Sequence, residues 1–305
     1  MRDQRATVGI IASGDGPVAQ FKAGMSEYGF VEGRNVRFQT RLSRGDSEKL
    51  SGFAQQLADH PVDLIAVVGA VTARAALSVT SLIPIVYSVV VDPAGDGIAT
   101  PSGMPLPNMT GVTTFDAGQA QAQLALLQSI KSDLGTVAYF ADAAVSDCLA
   151  NSNLSAARDA GLRAKLFRIV ASAPDLDSAF ATLRQDRAQA IIALEQPAVS
   201  AAAREIAARA RALNIPTVFP RDQAGAGGLF GYGTSLAAAT RVMARQVNRV
   251  LGGEAPADIP IESFVAPELV LDMATARDLG VVLPSLVLAN AERAKWPRAS
   301  ASSRR

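Results

Sequence analysis

The apolar positions of this chain switch between two periods from one end to the other. Residues 6–12 (ATVGIIA) form an unbroken apolar run that stops at Ser13, Gly14, Asp15 and Gly16, which predicts a strand buried on both faces, as in a parallel sheet. From Pro17, a residue suited to a first helical turn, Val18, Phe21, Met25 and Tyr28 recur at helical spacing as far as Gly29. A turn then leads to a second strand, 36–42, and Asp46 is placed to cap a helix with Leu50, Phe53, Ala54 and Leu57 on one face. A third strand (62–68), a helix (73–80, with Thr72 able to cap it) and a fourth strand (83–91) follow. A loop rich in Gly and Pro then runs from 92 to 107.

Residues 108–116 (NMTGVTTFD) are a short extended segment, and beyond them the alternation begins again. Helices are expected over 117–130, 146–160, 174–185 and 197–213. Strands are expected over 136–140, 164–170, 190–194 and 217–219. A second extended segment, LFGYGTS at 229–235, precedes a helix over 236–251, a strand pair around 261–271, a short helix ended by Gly280 and a last helix after Pro284. The tail from Trp296 (WPRASASSRR) has the composition of a disordered segment. Alternating strands and helices predict parallel sheets with right-handed crossovers. Two sets of them, linked by extended segments, predict two α/β lobes with a cleft at the carboxyl ends of their strands.

Composition narrows the functional classes. With 29 Lys plus Arg against 28 Asp plus Glu, the net charge of +1 gives no electrostatic case for nucleic acid or an anionic membrane. No apolar run approaches the roughly 20 residues of a membrane span. One cysteine, Cys148, excludes an intrachain disulfide, and with one histidine, His60, it argues against zinc. Neither a G-x-S-x-G elbow nor an H-E-x-x-H helix is present, and Cys148 has no histidine placed to activate it. The expectation is a binding protein with no catalytic residue, cofactor or metal. Only five residues precede the first strand, so a leader is expected to be removed or missed.

The candidate ligand contacts are the loops after strands. Ser13, Gly14 and Asp15 form a Gly-rich loop that opens a helix, either an anion cradle or a tight turn. Gly69, Ala70, Val71 and Thr72 allow close ligand approach, with Thr72 offering a hydroxyl or serving as a cap. Ser88 and Asp92 end the fourth strand, Asp92 being also a natural turn residue before Pro93. In the second lobe Ser146 begins a helix. Glu195 and Gln196 follow an apolar strand directly, and a carboxylate enclosed there needs a cationic ligand group or an arginine. Arg221 either grips a ligand carboxylate or pairs with Asp222 or Glu195. Among Phe115, Phe140, Phe219 and Tyr232, two are expected to wall the ligand and two to be core; Tyr232, beside the second extended segment, is the foremost.

Several stretches resemble the ABC transporter substrate-binding family that includes tryptophan-binding lipoproteins. They include YGFVEGRNVRFQTR (28–41), VDLIAVVGAVTARAA (62–76), IPIVYSVVVDPAGDGIA (83–99), NMTGVTTF (108–115), GGLFGYG (227–233) and PELVLDMATARDLGVVLPSLVLANA (267–291). The resemblance implies a type I periplasmic-binding fold, α/β, with two Rossmann-like lobes on parallel sheets joined by a three-strand hinge. The lobes would comprise 1–113 plus 234–262 and 114–233 plus 263–292, leaving 293–305 as a disordered tail. It implies a periplasmic, monomeric solute receptor with an ABC permease as partner and a small-molecule ligand, an amino acid or aromatic carboxylate, held by hinge closure. In relatives the loop that here contains Asp142, Ser146 and Asp147 often holds the acidic end of an amino acid. The alternative is a cytosolic ligand sensor on the same fold.

Overall fold

The computed structural model describes residues 6–44, 46–60 and 62–291. The expected tail, 293–305, lies outside them. The first unit runs β1 (Ala6–Ala12), α1 (Asp15–Glu27), β2 (Val36–Leu42), α2 (Lys49–Ala58), β3 (Leu64–Val68), α3 (Ala70–Val79), β4 (Ile85–Val90) and β5 (Met109–Thr113). The second runs α4 (Gln119–Ile130), β6 (Thr136–Asp142), α5 (Cys148–Asp159), β7 (Arg163–Ile169), α6 (Leu176–Gln185), β8 (Ala190–Ala193), α7 (Pro197–Ala212), β9 (Thr217–Phe219) and β10 (Phe230–Thr234). The chain then crosses back with α8 (Leu236–Leu251) and β11 (Glu262–Ser263), and returns with β12 (Pro267–Leu271), α9 (Met273–Asp278) and α10 (Ser285–Asn290).

Two six-stranded sheets result, ordered β11-β5-β4-β3-β1-β2 and β12-β10-β9-β8-β6-β7. Every pairing is parallel except β10 with β12. The sheets are parallel as expected, with this one antiparallel pairing at an edge. β10 leaves the second lobe at the edge where β12 enters it, so the two neighbours must run in opposite directions. The expected strand pair at 261–271 is likewise divided: β11 joins β5 in the first sheet and β12 joins β10 in the second.

Each sheet is covered on both faces, so its central strands are largely apolar, whereas the edge strands β2 and β7 carry partly exposed charged residues. Val8, Ile10, Phe21, Met25, Val86 and Val112 pack with Met243, Ala244 and Val247 of α8. On the other face Ile11, Ile65, Val67 and Tyr87 pack with Leu50, Ala54 and Leu57 of α2 and with Ala73 of α3. The Thr-Gly of the 108–116 segment has a steric basis at Gly111. A methyl group there would sit 2.4 Å from both the ring and the carbonyl oxygen of Tyr87 on β4. The crossing strand therefore lies closer to β4 than any other residue permits.

Two expected helix caps differ from those observed. Gly69, at φ +93°, is the cap of α3, so Thr72 lies inside the first turn rather than capping it. The Asp46 carboxylate accepts from the Glu48 backbone while the helix itself begins at Lys49.

Candidate functional site

The loops at the carboxyl ends of both sheets meet at the boundary between the lobes, and the structure shows where they touch. Arg74 on α3 donates through Nη1 to Asp96 Oδ1 at 2.8 Å and through Nη2 to the Ala144 carbonyl at 2.6 Å. Asp96, in the β4–β5 loop, also accepts from the Ser146 backbone at 3.1 Å. Burial pushes the Asp96 carboxyl up from its usual range, while the Ser146 N–H and the Arg74 charge pull the other way. Two first-lobe side chains thus hold the loop between β6 and α5. A sequence reading had no access to them, because their partners are 22 to 70 residues away.

Beside this bridge is a cavity of about 740 Å³ lined by Asp92, Gly95, Ser146, Asp147, Cys148 and Arg168, among others. Two expected contacts, Asp92 and Ser146, therefore face each other across the lobes. Asp92 Oδ1 also accepts from the Gly95 backbone, the turn role foreseen for it. Asp147 pairs with Arg168 at 2.7 Å, so the loop's second acid is neutralised from β7. Burial, and then the charges of Asp92 and Asp96, push the Cys148 thiol up and keep it protonated.

The first-lobe loop of Ser13, Gly14 and Asp15 is open to solvent, with Asp15 paired to Arg44 at 2.8 Å. Gly69 and Val71 are partly exposed, whereas Ala70 and Thr72 are buried. Ser88 departs from expectation: it is fully buried, and its hydroxyl donates to Thr240 on α8 at 3.4 Å. The strand there is displaced by a β-bulge between Tyr87 and Val90, where Val89 takes φ +60°. A left-handed conformation is a true outlier for a β-branched residue and marks stored strain.

In the second lobe Asp142 is also turned inward. Its carboxylate accepts from Ala144 and from Ala198 in the first turn of α7, both at 2.8 Å, and its own N–H donates to Gln196 Oε1 at 2.6 Å. Asp142 and Gln196 therefore tie β6 to α7 instead of presenting charge to the cleft. Arg221 donates to Glu268 Oε2 at 2.6 Å and to Asp222 Oδ1 at 3.2 Å, resolving its alternatives in favour of acidic neighbours. Asp222 in turn accepts from the backbones of Leu236 and Ala237 at the start of α8.

Glu195 is the electrostatic anomaly. Its Oε1 is buried without a hydrogen-bond partner. Desolvation, and then the negative charge of Asp222, push its carboxyl up to about 8. The aromatic candidates differ in burial. Phe140 is sealed between Phe167 and Phe180, with ring centroids 5.4 and 5.7 Å away, and Phe219 is fully buried. Phe115 and Tyr232 keep partial exposure on the crossing segments. Among the described residues no group of three or more His, Cys, Asp or Glu could hold a metal ion, and no helix is long and apolar enough to cross a membrane.

Two α/β lobes whose strand ends face one another, with three crossings, are also what solved structures share with this chain. A conserved domain protein from Vibrio cholerae O1 biovar El Tor superposes with a TM-score of 0.86 at 22% identity, over 94% of this chain and 99% of that one. A Streptococcus pneumonia ABC domain in complex with L-Trp gives 0.85 at 21%, again over 94% and 99%. A solute-binding protein from Rhodopseudomonas palustris BisB5, in complex with 3,4-dihydroxybenzoic acid, gives 0.59 at 15% over 84% of each chain. No curated protein matches the chain. These likenesses establish the type I periplasmic-binding fold. A family profile described as ABC transporter substrate binding protein matches residues 9–295. A match of that extent decides the matter: the chain belongs to the ABC transporter substrate-binding protein family.

Proposed function

We propose that this protein is the periplasmic solute receptor of an ABC importer, working as a monomer with an ABC permease as its partner. It captures a small polar organic ligand, an amino acid or an aromatic carboxylate, between lobes formed by 1–113 with 234–262 and 114–233 with 263–292. The observation that carries this reading is the contact made across the lobes at the strand ends. Arg74 and Asp96 of the first lobe bond to Ala144 and Ser146 of the second beside a 740 Å³ cavity. Such contacts favour the closed form, and a solute that touches both walls adds to them. The related structures with L-Trp and with 3,4-dihydroxybenzoic acid support both ligand classes.

The contact set contains Asp92 and Ser146 at the cavity, the loops at Ser13–Asp15 and Gly69–Val71, and Phe115 and Tyr232 as aromatic walls. Micromolar affinity corresponds to about −8 kcal/mol, within reach of a few hydrogen bonds and a stacked ring in a cleft that excludes water. A thermal-shift screen on unfolded and refolded protein tests the proposal, with amino acids, aromatic acids, sugars, nucleosides and polyamines as probes. A saturable rise in Tm with amino acids or aromatic acids is expected. A rise confined to sugars or nucleosides would overturn the ligand class, and silence from the whole panel would overturn the receptor reading.

A further inference from the structure

Glu195 lies two residues past the end of β8 and just before Gln196, the cap of α7, in the second lobe. Among the described residues its carboxyl makes no hydrogen bond and no ion pair, yet Oε1 is shut off from water. On the turn after β9, Arg221 is directed to Glu268 and Asp222. A second orphan acceptor sits on the adjoining loop. Gln223 Oε1 is buried without a partner, while Gln223 Nε2 donates to Ser200 Oγ on the first turns of α7. That bond ties the turn after β9 to the helix that begins beside Glu195. Asp222, whose charge reaches Glu195, is anchored to the first turn of α8, a helix of the other lobe. The acceptors therefore lie at the boundary between the lobes rather than in the interior of one.

Buried acceptors without donors are destabilising, and a charged one more than a neutral one. Relief comes from a proton or from a cationic donor. Around Glu195, Asp222 is another acid, and the donors Arg221 and Gln223 Nε2 bond to Glu268, Asp222 and Ser200.

We propose that Glu195 forms a subsite for a protonated amine of the solute. The ligand is then an amine-bearing molecule such as an amino acid, and not a simple aromatic carboxylate. The inference rests on the receptor reading of the cleft and selects between its two ligand classes.

The experiment uses refolded protein and matched probes that differ only in the amine: L-tryptophan against indole-3-propionate, and L-phenylalanine against 3-phenylpropionate. Affinities are measured by calorimetry for the natural chain and for Glu195→Gln. The amine member of a pair is expected to bind at least tenfold more tightly, and Glu195→Gln is expected to erase that preference. Equal affinity within a pair, or a preference that survives Glu195→Gln, overturns the subsite and leaves the receptor reading intact. Where neither member of any pair binds, methylammonium chloride titrated against sodium chloride at constant ionic strength decides. A saturable rise in Tm that Glu195→Gln abolishes supports the subsite while refuting the ligand class. Its absence overturns the subsite as well.

Discussion

Replacing Glu195 with glutamine should make the ligand-free protein more stable, by an amount that grows with pH. The carboxyl is held at about 8 in the folded chain against an ordinary 4.5. The folded state therefore keeps its proton through a pH range in which the unfolded state has lost it. Stability falls as pH rises wherever the folded state binds more protons. The penalty is absent below about pH 4.5, grows through the neutral range and is complete above about pH 8. At 1.36 kcal/mol per unit, the part accrued by pH 7 is about 3 kcal/mol. Glutamine keeps the shape and has no proton to lose, so its curve lacks this decline. For a chain of this size the difference corresponds to about 6 °C in Tm at pH 7. Circular-dichroism melts of both proteins, from pH 4 to pH 8.5 at fixed ionic strength, measure it. Curves that run parallel across the whole range would refute the reasoning, because they would mean that the Glu195 carboxyl is not desolvated in the empty protein.

Three further outcomes follow from the geometry. Arg74→Ala removes the bonds to Asp96 and to the Ala144 carbonyl; losing about 1–2 kcal/mol of cross-lobe contact shifts the closure equilibrium about tenfold toward the open form. Small-angle scattering should then show a larger radius of gyration without loss of helix content, and an unchanged radius would disprove the latch. Val89→Gly relieves the left-handed strain at the bulge beside the cleft and should raise stability by about 1 kcal/mol in urea unfolding; a drop would show that the valine side chain matters more than its backbone. Tyr232→Ala should weaken solute binding while leaving the midpoint of unfolding within about 1 kcal/mol of the natural chain, whereas Phe219→Ala, deep in the core, should lower stability by about 3–5 kcal/mol. Calorimetry and denaturant melts on the two variants separate wall from core.

The fold was legible because parallel strands covered on both faces must be apolar along their whole length. β1, β9 and α8 fall where the pattern places them, at Ala6–Ala12, Thr217–Phe219 and Leu236–Leu251. Strand ends were less clear, as at β3, where Val62 continues the apolar run but pairing starts only at Leu64. The local pattern of the edge strands β11 and β12 does not distinguish a hairpin from two crossings; only the family resemblance, which divides the lobes at 262/263, separates them. The site was legible only in part. Glu195 stood out because a carboxylate directly after a buried strand conflicts with its surroundings. Ser88 and Asp142 occupy equally suggestive places, but their partners, Thr240 and Ala198, come from distant helices and turn them inward. Arg74 and Asp96 gave no local sign, since their role arises only when the lobes meet.

The return of α8 to the first lobe has a consequence for how the protein is made. This helix covers Val8, Ile10, Phe21, Met25, Val86 and Val112, yet it is translated more than a hundred residues after β5 has left the ribosome. Until then that face of the nascent first sheet is covered only in part, by Phe21 and Met25 of α1, while most of the second lobe has already been made. Such late, long-range closure slows folding and exposes a sticky intermediate. Each lobe thus closes late in synthesis: the first when α8 has been made, the second only when Leu269, Ala276 and Val287 join its core.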